Sequence, residues 1–126
     1  MTARRSSGGG RSRDRGSVTV LLLAVVAVAL TFAVGLVALV RAADARGTAQ
    51  TAADLAALSG ADVAARPGGP DPCAVAATVV ASNGAVLSRC AELPGGFVEV
   101  AASVTARPLP GWSVVAAAHA RAGPVR

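Results

Sequence analysis

Residues Val18–Val40 read VTVLLLAVVAVALTFAVGLVALV, 23 positions of which only Thr19, Thr31 and Gly35 are not apolar and none is charged. As a helix rising about 1.5 Å per residue, this stretch reaches roughly 35 Å, enough to cross a hydrocarbon layer of about 30 Å with some tilt. Fifteen of its residues are Val, Leu or Phe, and each favours insertion by about 0.3–0.6 kcal/mol near the helix centre. A secretory signal has the same Arg-rich start, but its apolar region runs to about 7–15 residues and ends at once in small residues around a cleavage point. Here Arg41 comes first, and the nearest A-x-A triplet, Ala43-Asp44-Ala45, lies beyond it in what reads as continuing helix. The stretch predicts an uncleaved transmembrane helix over 18–40.

Before it, residues 1–17 are Gly/Ser/Arg-rich and without periodicity, which predicts a disordered basic leader. Arg4, Arg5, Arg11, Arg13 and Arg15 against Asp14 carry most of the net charge of +5. Arginines flanking a span are retained on the cytoplasmic side, so the N-terminus is expected inside and the C-terminal part outside. The leader has no aromatic residue on which a base could stack, so nucleic acid is not an expected partner. Arg4-Arg5 is followed by Ser-Ser-Gly-Gly-Gly where a twin-arginine signal would turn apolar. Within the span, Ala27, Thr31 and Gly35 recur every four residues. That row of small residues would either let another helix approach or simply face lipid.

Past Arg41 there is no proline before Pro67-Gly68-Gly69-Pro70, only isolated glycines such as Gly47, and Ala, Leu, Gln and Arg dominate, so the helix is expected to run on through 41–66. Ala42, Ala45, Ala49, Ala52, Ala56, Ser59 and Val63 alternate at three and four residues, a narrow seam suited to close helix–helix packing. Leu55 and Leu58 fall on another side, as expected of a helix lying between its own small domain and a partner subunit. Asp71-Pro72 is an N-cap followed by proline at the first helical position, and Asn83-Gly84 is a helix stop, so a second helix is predicted over 72–82. The period then changes to two. Ala85–Glu92 and Phe97–Ala106 read as strands, the second burying Val98, Val100, Ala102 and Val104 on one face. Arg107-Pro108-Leu109-Pro110-Gly111 is expected to break that strand, and Trp112–Ala122 to return as a third. Residues 67–126 thus form a small domain. Phe97 and Trp112 are the only aromatic residues beyond the span, which predicts marginal stability.

Catalytic chemistry is not legible. His119 is the single histidine, the carboxylates are scattered, and no nucleophile, zinc or phosphate-binding pattern is present. No enzyme activity, metal, cofactor or small-molecule substrate is expected. Cys73 and Cys90 both fall on the side of the membrane where disulfides persist, and a bridge between them is expected in preference to two buried thiols.

The leader end Asp14-Arg15-Gly16-Ser17, the apolar helix that follows at once, the continuation with Gln50-Thr51-Ala52-Ala53-Asp54 and the C-terminal Ala120-Arg121-Ala122-Gly123-Pro124 resemble the TadE-like proteins of actinobacteria, within the TadE/TadG group. The resemblance implies a pseudopilin-like, membrane-anchored accessory of the tight-adherence (Flp) pilus or of related secretion assemblies, with other assembly subunits as partners. It also implies processing between Gly16 and Ser17. Leu21, however, stands where the family carries the glutamate that serves processing and subunit registry, which argues against cleavage there.

The expected architecture is an α+β membrane protein: one transmembrane helix continuing into a long helix, then a disulfide-tied extracytoplasmic domain of one short helix and about three antiparallel strands. Its expected place is the plasma membrane, as a non-enzymatic accessory of pilus or secretion assembly. The alternative is a surface or secreted effector or adhesin released by cleavage near Ala45.

Overall fold

The computed structural model describes residues 8–125, with side chains from Asp14 onward. The elements are helix α1 (Gly8–Ala64), helix α2 (Pro72–Ser82) and strands β1 (Val86–Leu93), β2 (Phe97–Leu109) and β3 (Trp112–Ala122). The chain divides into two compact units, residues 1–37 and 38–126.

In the first unit α1 begins at Gly8, so residues 8–17 are helical where their composition predicts no fold. Elongating an existing helix fixes one residue per hydrogen bond and avoids the cost of nucleation, and arginine is a good helix former. Residues 1–7, including Arg4 and Arg5, lie outside the described residues. Every side chain from Asp14 to Val37 is exposed. The two hydroxyls of the apolar run turn back onto the helix: Thr19 Oγ1 donates to the Arg15 carbonyl at 3.0 Å and Thr31 Oγ1 to that of Ala27 at 2.8 Å. The side chains of the run therefore leave no polar group without a partner, as a hydrocarbon surrounding demands. The helix is long and apolar enough to cross a membrane, with a mean hydropathy of 3.0 over its most apolar window.

The second unit packs the later part of α1, together with α2, on an antiparallel sheet of order β1-β2-β3. Its core is built from Ala49, Ala52, Ala53, Ala56 and Ala57 of α1, Ala76 and Val80 of α2, Val98, Val100 and Ala102 of β2, and Ala118 of β3. The seam expected to meet another helix is thus covered by the chain's own sheet and α2. Ala45, Ala49, Ala52 and Ala56 are on it, while Ala42 is exposed and lies off it. At Gly60 an added Cβ would stand 3.1 Å from Val98 Cγ1 and 3.3 Å from the Pro72 carbonyl oxygen, so α1 meets the sheet at a distance only small side chains permit. Leu55 and Leu58 remain exposed on the opposite side.

Local chemistry sets the ends of α2 where the sequence places them. The Asp71 carboxylate accepts from the Cys73 amide at 3.2 Å, and Pro72 opens the helix where a missing N–H costs nothing. At the other end Gly84, at φ 76°, lets the Ala85 amide reach the Val80 carbonyl and the Gly84 amide that of Ala81, a Schellman closure that places Ala85 against Val80 in the core.

The sheet departs from expectation at one point. Arg107, Pro108 and Leu109 belong to β2 and do not end it; a register shift between Ala106 and Leu109 absorbs the proline, whose missing N–H a bulge tolerates. The turn that follows is Pro110-Gly111, with Gly111 at φ 78° and Leu109 opposite Trp112.

Candidate anchoring and docking surfaces

Three features of this chain could carry function: an apolar helix with nothing around it, a disulfide-tied domain, and the end of the β2–β3 hairpin. Gly16, Ser17 and Leu21 lie inside α1 with their surfaces exposed, Leu21 one turn after Ser17. Ala27, Thr31 and Gly35 are likewise exposed, and nothing approaches within 4 Å of the point where a Gly35 Cβ would stand.

Cys73 and Cys90 are bonded, with their Cα atoms 5.8 Å apart. The bridge joins the first turn of α2 to the middle of β1, the sheet's edge strand, where Cys90 is paired with Val100 of the core. Closing a loop of this length restricts the unfolded chain by about 3 kcal/mol in the chain-entropy account. In this domain the largest fully buried side chains are Val80, Val98 and Val100. Leu87, a natural core candidate from its strand position, is only partly buried.

His119 is exposed on β3, opposite Ala101 on the sheet face turned away from the helices. Among the described residues no group of three or more His, Cys, Asp or Glu side chains is placed to hold a metal. The C-terminal Arg121-Ala122-Gly123 fits tightly around Phe97: the Arg121 guanidinium lies 4.7 Å from the ring centroid, and a side chain on Gly123 would overlap the ring.

The hairpin end is the feature that sequence reasoning missed. Arg41 Nη1 donates to the Arg107 carbonyl at 3.4 Å, which brings the first charge after the apolar run beside the far end of β2. Farther along, Gln50 Nε2 donates to the Asp54 carboxylate at 2.8 Å and to the His119 carbonyl at 3.5 Å. Leu39, Ala42 and Arg46 of α1 face Val114 and Val115 of β3 across a groove of about 660 Å³. One signal in the sequence pointed there: a lone tryptophan after a Pro-Gly turn.

These features define an α+β protein built on one long helix that is bare and apolar toward its N-terminus and packed through alanine toward its C-terminus. Residues 16–65 match the Tad family model, whose description is of TadE/G-like Flp pilus assembly, so this segment of the chain is similar to the TadE/G-like proteins. The match takes in the apolar run and the buried alanine seam and ends at the close of α1. No curated protein and no solved structure matches the chain.

Proposed function

We propose that the protein is a single-pass, membrane-anchored, non-enzymatic accessory of a tight-adherence (Flp) pilus or of a related secretion assembly. The N-terminal part of α1 holds it in the bilayer, and the disulfide-tied domain stands outside the cell as a docking body for other assembly subunits. The observation that carries this reading is the TadE/G-like match across residues 16–65, which covers the apolar helix itself. Orientation rests on the basic leader, and the oxidising side it assigns to the domain agrees with the Cys73–Cys90 bond. Leu21 in place of a glutamate supports a subunit that stays in the membrane, since there is no carboxylate to pair with a new N-terminal amine at Ser17.

Release as an effector by cleavage near Ala45 is disfavoured, because Ala45 is 6% exposed and lies in the middle of a helical turn. A protease would have to open the core edge before it could bind the chain in extended form.

Crosslinking in intact cells followed by pull-down from membranes tests the assembly role. Recovery of a pilin or of the platform protein of an assembly ATPase is the expected result. Failure to recover either, under conditions that retain other membrane complexes, together with a product truncated near residue 45 in the culture supernatant, would overturn it in favour of release.

A further inference from the structure

We propose that the end of the β2–β3 hairpin is a second membrane contact, with Trp112 seated in the headgroup layer of the same bilayer that α1 crosses. The proposal rests on the anchor reading of α1 and adds to it a surface that no family match covers, since residues 107–115 lie outside the matched segment.

Strand β2 runs antiparallel to the later part of α1: Val98 lies against Gly60, and nine residues further on the Arg107 carbonyl takes a hydrogen bond from Arg41. Arg41 directly follows Val40, the last residue of the apolar run, so it marks the height at which the chain leaves hydrocarbon. The hairpin does not stop at that height. Leu109, Pro110, Gly111 and Trp112 follow Arg107, and at about 3.3 Å per residue the turn lies roughly 7 Å beyond the contact. On the return strand Val114 and Val115 share a groove with Leu39, itself a member of the apolar run.

The composition of the end suits that position. Trp112 is 54% exposed and Val115 64%, in a chain where large apolar side chains are otherwise left bare chiefly along the apolar run. An indole prefers the boundary between acyl chains and headgroups, where its ring is shielded and its N–H is solvated. Arg107 and Ser113 flank Trp112 around a hollow of about 250 Å³, and residues 107–115 contain no carboxylate, so the polar groups beside the indole suit a phosphate. Arg41, with its head at the Arg107 carbonyl, stands at the same boundary.

Trp112 is the only tryptophan in the chain, so its own fluorescence reports the site. The full-length protein is assembled into phosphatidylcholine/phosphatidylglycerol nanodiscs and compared with a Trp112→Phe/Val125→Trp chain, whose probe sits past the opposite end of β3 at a position 98% exposed. Native Trp112 is expected to emit at shorter wavelength than the control, to lose most of its emission when the lipids carry bromine near the top of the acyl chains, and to resist iodide. The control is expected to show the reverse. Emission from Trp112 that iodide quenches freely and bromolipid does not would overturn the proposal while leaving the anchor intact. Protection from both quenchers would also overturn it, because a protein surface and not lipid would then cover the hairpin end. A chain that fails to co-purify with the discs would overturn the anchor reading, and this proposal with it.

Discussion

Two stretches of the same helix solve opposite problems. From Val18 to Val37 α1 carries large side chains and buries none of them; Phe32 is 69% exposed and Leu23 65%. From Ala45 to Gly60 it carries mostly small ones and buries those on one side almost completely, with Ala49, Ala52, Ala53 and Ala56 at 0%. A fluid surrounding rewards apolar area in any arrangement, which suits the first stretch, apolar on every side and mostly large, with small residues in a row at Ala27, Thr31 and Gly35. A fixed sheet rewards fit, so the second is small on one side and ordinary on the other. Side-chain size along one helix therefore reports what each part is meant to meet.

The largest effect is expected where a charge enters the first stretch. Val28→Arg near the middle of the run should cost about 3–4 kcal/mol of insertion free energy, and alkaline extraction of membranes should then release a substantial share of a chain that otherwise stays in the pellet. Retention equal to wild type would mean that this stretch is not held by hydrocarbon.

A somewhat smaller loss is expected on the other side of the comparison. Cys73→Ser or Cys90→Ser should remove about 3 kcal/mol from the domain while leaving insertion untouched. Limited proteolysis of the membrane fraction should digest either variant down to the α1 anchor, with the double variant no worse than the singles. A single variant as resistant as wild type would show that the core is stable without the bridge.

The smallest and sharpest test places one substitution in both stretches. Ala27→Leu adds volume where nothing packs and should leave folding and insertion unchanged, whereas Ala53→Leu must fit a side chain between helix and sheet and should cost about 1–3 kcal/mol. Denaturant unfolding followed by the Trp112 signal measures both. Equal effects at the two positions would dissolve the distinction between them.

Where local chemistry decides an outcome, the sequence shows it. Asp71-Pro72 and Asn83-Gly84 bracket α2 because an N-cap and a Schellman glycine act within four residues of themselves. Strands β1 and β2 follow from their alternation, β3 from Trp112, Val114 and Val115 after a loop suited to a return strand, and Cys73–Cys90 from compartment and count. Where the outcome depends on a distant partner, the sequence is silent. Pro108 reads as a breaker, because the bulge that accommodates it exists only beside β3. The alanine spacing announces a close approach without saying to what, so the chain's own sheet and α2 could not be told from a foreign helix. Residues 8–17 are helical through continuity with the apolar run, a cooperative effect that their own composition does not carry. The Arg41–Arg107 contact joins residues 66 apart and leaves no periodic trace.

The valine-and-alanine core has a calorimetric consequence. Heat capacity of unfolding follows the apolar area newly hydrated, and ordinary domains gain about 12–15 cal/mol/K per residue. With no fully buried side chain larger than valine, residues 38–126 expose less such area for each residue they release. Their stability curve is correspondingly shallow: the free energy of unfolding bends little with temperature on either side of its maximum, so cold costs this domain less than it costs one cored with leucine and phenylalanine.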